Sequence, residues 1–199
     1  MGVDRVVARR AVFLDRDGVI NRNIFNSQTG QYESPLTAAD FHLIDGALDA
    51  IRSMQEAQYL LFLVSNQPNY ALGKSSLQSL DEIHLRMKRE FDREGIAFSE
   101  FYYCLHHPHG IVPEYSGACT CRKPSPAFLH QAQRDFQLDL SHSWMIGDRP
   151  TDTQCGRAAG AKAIRISAEC TSPIVDANAD FIVPDLAGAV TCILGMRSR

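Results

Sequence analysis

The stretch Ala11-Val-Phe-Leu-Asp15-Arg16-Asp17-Gly18-Val19-Ile20-Asn21 decides the fold of this 199-residue chain. It begins with four apolar residues and then changes abruptly to two carboxylates and a glycine. Short apolar runs of this kind are typical of buried parallel strands, whereas Asp and Gly are also common in turns. Taken alone, the stretch fits either a simple turn or a pair of reactive carboxylates at the end of a strand.

Further short apolar runs repeat this pattern along the chain, and segments with helical periodicity separate them. The predicted strands are 11–14, 60–64, 101–103, 144–146, 163–166 and 181–183. The predicted helices are 47–58, 75–94, 126–136 and 151–159. This alternation predicts an α/β fold with a doubly wound (Rossmann-like), mostly parallel sheet, and the length predicts one domain over residues 1–199. Residues 21–40 and 106–123 fit neither a strand nor a helix.

Polar residues follow three of the predicted strands at the point where each strand ends. They are Asp15, Ser65 and Asp148. Ligands of open α/β sheets bind outside the carboxyl ends of the strands. We therefore expect these three side chains to lie at one edge of the sheet and to form part of a site.

Four short motifs, each placed near a strand end, share this order with a known superfamily. They are Asp15 to Asn21, Ser65-Asn66, Lys123 before Pro124, and Gly147-Asp148-Arg149 with Asp152 four residues after Asp148. In this order they resemble the motifs of the haloacid-dehalogenase superfamily, and the resemblance covers nearly the whole chain. It implies a magnesium-dependent phosphatase with a covalent aspartyl-phosphate intermediate.

The resemblance also implies a role for each motif residue, because phosphoryl transfer needs a nucleophile, a cation clamp and a proton for the leaving group. Asp15 is expected to attack phosphorus, and Asp17 to act as general acid and then as general base. Lys123, which alone would be interpreted as a solvated surface lysine, is expected to neutralise the nucleophile and the phosphate. Asp152 either orients the waters of the metal or caps the following helix.

Magnesium and substrate are expected to bind at this same edge. Magnesium prefers oxygen ligands and keeps several waters. Its expected ligands are Asp15, Asp148 and the backbone carbonyl of Asp17. The expected substrate-binding residues are Ser65, Asn66, Arg122 and Arg149.

A second group of metal-binding residue types lies between the second and third motifs. Cys104-Leu105-His106 is followed by Cys119-Thr120-Cys121, which together offer three thiols and an imidazole. These are the donor types and the number of a tetrahedral structural zinc site. The alternative is three buried thiols and an unrelated histidine, but the intervening segment has little apolar content that would bury them.

This zinc loop, 104–121, leads directly into Arg122 and Lys123, so zinc would anchor the segment that carries the catalytic lysine. The neighbouring His107 and His109 are further candidate ligands, although the spacing favours His106.

The DRDG motif, the zinc loop and the CRKP motif together resemble the D,D-heptose 1,7-bisphosphate phosphatases and the histidinol-phosphate phosphatases. The long segment from His106 to Cys119 favours the heptose branch, which implies removal of the C7 phosphate of D-glycero-D-manno-heptose 1,7-bisphosphate. Residues 65–123 leave no room for a large cap, so we expect a capless active site. One departure from that branch is the loop 68–72, where Leu72 replaces a basic residue.

Two alternatives of different classes remain at this point. One is a phosphatase for histidinol phosphate or another small phosphomonoester, and the other is an inactive, zinc-stabilised binding module. The intact set of catalytic residue types argues against the binding module.

Composition narrows the expected partners. The net charge of −3 argues against a nucleic-acid surface but is compatible with a small phosphorylated sugar, which needs only local positive charge. No stretch approaches about 18 apolar residues, so no membrane span is expected. Three of the six cysteines have metal-type rather than disulfide-type spacing, which favours a reducing, cytoplasmic location. We expect a monomer.

Overall fold

The structure, a computed structural model, describes residues 9–27, 30–167 and 175–196. Within these residues, the strands of the main sheet are β1 (Ala11–Leu14), β4 (Leu60–Asn66), β5 (Phe98–Cys104), β6 (Trp144–Gly147), β7 (Lys162–Ile166) and β8 (Phe181–Val183). They pair in parallel in the order β5-β4-β1-β6-β7-β8. Two short strands, β2 (Ile24–Asn26) and β3 (Gln31–Glu33), form a separate antiparallel hairpin.

Helices cover both faces of the main sheet. The helices of the described residues are α1 (Ala47–Glu56), α2 (Leu77–Arg93), α3 (Ala127–Phe136), α4 (Pro150–Ala158) and α5 (Leu186–Gly195). Val12 and Leu14 of β1 pack in the cluster that contains residues of α1, α2 and α5, while Ala11 and Phe13 pack with residues of α3 and α4. Alternate residues of β1 therefore pack in two hydrophobic cores, one on each face of the sheet. The predicted doubly wound α/β architecture is confirmed.

The sequence predicted the elements of the sheet better than their ends. Strand β4 continues through Ser65 and Asn66, because these residues stay in register with Tyr103 and Cys104 of β5. Helix α5 was not predicted. It begins after Asp185, whose side chain accepts a hydrogen bond of 2.8 Å from Gly188 N, an N-cap that satisfies a free backbone donor.

The two segments left unassigned by the sequence differ in content. Residues 21–40 contain the β2–β3 hairpin and a 3-10 turn at Ala38–Asp40. Residues 106–123 contain a 3-10 turn at Pro113–Tyr115 and are otherwise irregular. Between Ser65 and Lys123 the chain forms the end of β4, α2, β5 and this loop, which agrees with the predicted lack of a large cap. The single-domain assignment for the whole chain stays a prediction.

No helix within the described residues has both the length and the apolar composition needed to cross a membrane.

Candidate active site

The turn after β1 brings two strand ends together. Gly18 N donates to Asn21 O at 2.8 Å, and Asn21 N donates to Arg16 O at 3.1 Å, which closes the turn. Gly18 has φ +77°, and a Cβ at this position would lie 2.3 Å from Oδ2 of Asp148 at the end of β6. Both the left-handed backbone and the close approach require glycine. The turn therefore packs directly on the carboxylate that follows β6.

Three carboxylates meet at this edge of the sheet. Oxygens of Asp15, Asp148 and Asp152 all lie within 4.8 Å of one another. Burial, together with the charges of Asp15 and Asp152, raises the pKa of Asp148 to about 7. Its Oδ1 atom is buried and accepts no hydrogen bond from any residue that the structure describes. Arg149 Nε lies 3.9 Å from this oxygen, beyond hydrogen-bond distance. A buried oxygen without a hydrogen bond, among crowded carboxylates, fits a hard divalent cation such as magnesium, which these side chains could hold.

Lys123 supplies the positive charge beside this cluster. Its ammonium nitrogen lies 3.0 Å from Asp15 Oδ1 and 2.6 Å from Asp152 Oδ1, and it donates to Val64 O at 2.6 Å. Burial alone would lower the pKa of Lys123, but the carboxylates of Asp15 and Asp152 raise it above its usual value. The lysine is therefore a fixed cation in contact with the predicted nucleophile.

Asp152 has two observed partners. Its Oδ2 atom accepts a hydrogen bond of 2.9 Å from Arg149 N at the start of α4, which is the capping role considered from the sequence. Its contact with Lys123 was not predicted, because nothing in the spacing of the two residues indicates that their side chains meet.

Two of the predicted substrate-binding residues, Ser65 and Asn66, have hydrogen-bond partners within the protein. Asn66 accepts a hydrogen bond of 3.0 Å from Lys123 N and donates one of 3.2 Å to Lys123 O. Asn66 therefore fixes the backbone that carries the lysine. Ser65 is 2% exposed, and its hydroxyl accepts a hydrogen bond of 3.0 Å from Gln67 Nε2.

Asp17 points into a set of donors that the sequence did not single out. Arg16, Asn21 and Gln67 all donate to its carboxylate. Arg16 and Asn21 belong to the motif that contains Asp17, and Gln67 directly follows the second motif. Their position in the motifs is the signal that could have identified them.

A cavity of about 850 Å³ opens over these groups. Asp15, Asp17, Asn66 and Lys123 contribute to its lining, as do the predicted substrate-binding residues Arg122 and Arg149. Further lining comes from two other segments, the hairpin and the loop after β4, through Gln31, Tyr32, Glu33, Ser34, Pro68, Asn69, Leu72 and Lys74. Its volume lies within the usual range of small-molecule sites, and its basic side chains suit an anionic ligand.

The structure also brings together the four side chains of the predicted zinc site. Sγ of Cys104 lies 3.6 Å from Sγ of Cys119 and 3.1 Å from Sγ of Cys121. Sγ of Cys121 lies 3.7 Å from Sγ of Cys119 and from Nδ1 of His106. Tetrahedral zinc with Zn–S bonds of about 2.3 Å would separate its sulfur ligands by about 3.7 Å. Three of the four separations lie close to this value, while Cys104 and Cys121 approach more closely, and the donor set suits a tetrahedral metal ion.

Comparisons with known proteins agree with this geometry. Residues 120–189 match the HAD-hydrolase-like family. The chain is 34% identical over 179 residues to the D-glycero-beta-D-manno-heptose-1,7-bisphosphate 7-phosphatase of Yersinia pestis, an alignment that covers 89% of this chain and 91% of the relative.

Two solved structures share the fold over almost the whole chain. A HAD-like phosphatase from Mesorhizobium loti matches with a TM-score of 0.78 and 25% identity, covering 95% of this chain and 88% of that one. The D,D-heptose 1,7-bisphosphate phosphatase from B. bronchiseptica, solved with magnesium and phosphate, matches with a TM-score of 0.75 and 25% identity, covering 94% of this chain and 99% of that one.

Proposed function

The chain belongs to the HAD-like phosphatases, and on this premise we propose that it is a magnesium-dependent phosphomonoester hydrolase acting through an aspartyl-phosphate on Asp15. The observation that carries the proposal is the contact of 3.0 Å between Lys123 Nζ and Asp15 Oδ1 within the carboxylate cluster. A nucleophilic carboxylate beside a fixed cation, at the base of an open cavity, suits attack on a phosphate dianion.

The reaction divides into two displacements at phosphorus. A carboxylate oxygen of Asp15 forms a bond to phosphorus while the bond to the sugar oxygen breaks, and Asp17 gives its proton to the departing alkoxide. Asp17 then accepts a proton from water as the water oxygen attacks phosphorus, which frees Asp15 and inorganic phosphate. Lys123 stays charged throughout and offsets the charge of the phosphoryl oxygens.

Asp15, Asp148 and the backbone carbonyl of Asp17 would hold magnesium. When bound, magnesium supplies charge neutralisation on the phosphoryl oxygens. Asp148 and Asp15 lie in the observed cluster, and the orphaned Oδ1 of Asp148 supports a ligand role.

The proposed substrate is D-glycero-D-manno-heptose 1,7-bisphosphate, which would lose its C7 phosphate. Support comes from the function of the Yersinia pestis relative, a heptose-1,7-bisphosphate 7-phosphatase, and from the cavity, which is large enough for a sugar and carries Arg122 and Arg149 in its lining. These arginines would contact the part of the substrate that projects from the nucleophile.

The cysteine–histidine cluster would hold a structural zinc ion. The four protein side chains would supply all four ligands of a tetrahedral ion. They would leave no open coordination position of the kind that catalytic zinc needs. We also propose that the protein is located in a reducing cytoplasm, since zinc thiolates require reduced cysteines. We further propose that it is a monomer.

Phosphate release from a panel of substrates tests the assignment. Heptose 1,7-bisphosphate, histidinol phosphate, common sugar phosphates and p-nitrophenyl phosphate would each be assayed with magnesium, with Asp15→Asn as the blank. We expect the highest kcat/KM for the heptose bisphosphate. A higher value for histidinol phosphate would transfer the assignment to that substrate, and no turnover of any compound would favour the binding module.

A further inference from the structure

Arg16 is among the largest fully buried side chains of the described residues, with 1% of its surface exposed. It lies between the proposed nucleophile Asp15 and the proposed acid–base residue Asp17. Its backbone N–H donates to Asp15 Oδ1 at 2.7 Å, while its guanidinium turns the other way, towards Asp17. Full burial of an arginine is rare unless its charge is paired.

The guanidinium of Arg16 grips the Asp17 carboxylate with two nitrogens. Arg16 Nε donates to Asp17 Oδ1 at 3.1 Å, and the NH2 nitrogen donates to Asp17 Oδ2 at 3.2 Å. Such two-point contacts fix the plane of a carboxylate as well as its position. Asn21 Nδ2 adds a donor to Oδ1 at 3.0 Å.

Gln67 completes the arrangement from the end of β4. Its Nε2 donates to Asp17 Oδ2 at 2.6 Å and also lies 3.0 Å from Ser65 Oγ, while its Oε1 accepts from Arg16 at 2.7 Å. Arg16, Asp17 and Gln67 thus form a closed ring of hydrogen bonds, and a change in any member displaces the other two.

Two ring side chains also lie near Arg16. The Tyr103 side chain interacts electrostatically with Arg16, and its hydroxyl shares a hydrogen bond of 2.9 Å with His84 Nδ1. His84 lies on α2 and Tyr103 on β5, and both line a second cavity of about 390 Å³ together with Arg16 and Gln67.

We propose that Arg16 and Gln67 are positioning residues that hold the Asp17 carboxylate in the orientation it needs for proton transfer. This inference rests on the proposed role of Asp17. A general acid must lie within hydrogen-bond reach of the leaving oxygen, and a displacement of about 1 Å can cost about 100-fold in rate. Neither Arg16 nor Gln67 is assigned to the phosphoryl group, and Asp17 is the proposed catalytic residue that both side chains contact. Gln67 also donates to Ser65 Oγ, and loss of that contact would affect substrates with good and poor leaving groups alike.

The leaving group of the substrate distinguishes this role from a structural one. Gln67→Met keeps the side-chain volume but removes the bonds to Asp17, and we expect kcat/KM for a sugar phosphate to fall about 10- to 100-fold. For p-nitrophenyl phosphate, whose leaving group needs little protonation, the loss should be below about threefold. Arg16→Met should show the same selectivity with a larger loss. Equal losses for both substrates would overturn the proposal.

A double-mutant cycle shows whether Gln67 acts through Asp17. In an Asp17→Asn background, Gln67→Met should lower the sugar-phosphate kcat/KM by less than about threefold, because the group that it positions has been removed. The same loss in both backgrounds would overturn the positioning role and leave the proposed function intact. An Asp17→Asn variant that retains full sugar-phosphate activity would instead contradict the acid–base role in the proposed function.

Arg165→Met provides a matched control for loss of a paired arginine. Arg165 lies on β7, and its NH1 nitrogen is 3.3 Å from Asp176 Oδ2. The substitution should lower the unfolding temperature without any leaving-group selectivity. Selectivity as large as that of Gln67→Met in this control would contradict the proposal, since a general loss of stability would then explain both.

Discussion

The carboxylate cluster and the cysteine–histidine cluster rest on different amounts of structure. Asp15 and Asp148 follow directly after β1 and β6, two adjacent central strands whose residues are fully buried. Of the cysteine–histidine cluster, only Cys104 belongs to a strand, and the other three residues lie in a loop whose regular structure is one 3-10 turn. The sheet can therefore place the carboxylates without a metal ion, whereas the loop has almost no core of its own, and we expect it to depend on the proposed zinc ion for order.

The two regions meet at Lys123. This residue comes two positions after Cys121, and the Asn66 side chain fixes its backbone from the end of β4. One side of the lysine thus depends on the sheet and the other on the loop. The comparison predicts that changes in the first cluster remove chemistry at little cost in stability, while changes in the second lower both.

The largest expected effect is on the nucleophile. Asp15→Asn should abolish turnover, because an amide is too poor a nucleophile to form the phospho-enzyme. Steady-state phosphate release and a trapping assay for protein-bound phosphate measure the two steps separately, and thermal unfolding should show a folded variant. Activity near that of the unchanged protein would remove Asp15 from the mechanism. The carboxylate cluster would then have no more demonstrated chemical role than the cysteine–histidine cluster.

The next effect concerns Asp17. Asp17→Asn should lower kcat/KM for an alkyl phosphate by about two to four orders of magnitude, the usual contribution of a general acid. The loss should be smaller for an aryl phosphate, whose leaving group needs less protonation. Equal losses for the two substrates would contradict the proton-transfer role.

The sequence predicted features that depend on neighbouring residues better than features that depend on contacts between distant segments. The strands, the doubly wound sheet and the four thiol and imidazole ligands have local signals, namely apolar periodicity and ligand spacing. Helix α5 was missed because its sequence, Leu186–Gly195, is apolar almost throughout and shows little periodicity. The β2–β3 hairpin has strands of three residues, which are too short for a pattern.

Within the site, the sequence predicted residue types and not partners. An arginine such as Arg16 is ordinarily exposed, so its burial against Asp17 and Gln67 depends on contacts between distant segments. The pairing of Lys123 with Asp152 has the same origin. Such contacts become visible only when the strand order is known.

Smaller losses, of both stability and activity, are expected from changes in the cysteine–histidine cluster. Cys119→Ser or Cys121→Ser should release zinc and lower the unfolding temperature by about 5 °C or more, which at this chain length corresponds to about 2 kcal/mol. Activity should fall in part, because the loop before Lys123 loosens, and added magnesium should not restore it. Elemental analysis, thermal unfolding and phosphate release measure the three quantities.

Cys192→Ser is the matched control for these variants, since Cys192 is a half-buried free thiol on α5. It should keep zinc and activity. A fully active, folded protein that contains no zinc would show that the loop orders itself, which contradicts the contrast drawn between the two clusters.

The smallest effect is the pH dependence of magnesium binding, which should be confined to the carboxylate cluster. Burial, with the charges of Asp15 and Asp152, raises the pKa of Asp148 to about 7, so without metal this carboxyl is protonated below that pH. Magnesium needs the ionised form and must displace the proton, so its apparent affinity should rise with pH and level off above about 7. A single group of this pKa predicts binding about tenfold weaker at pH 6 than at pH 8. In the metal-free protein the sign is opposite. The carboxyl ionises in the unfolded chain from about pH 4 but stays protonated in the folded protein up to about pH 7, so the free energy of unfolding falls as the pH rises between these values. Calorimetric titration with magnesium at pH 6, 7 and 8 measures the affinity, and zinc content should stay constant over this range. A magnesium affinity that does not change between pH 6 and pH 8 would contradict a pKa near 7 for a carboxyl that binds the ion.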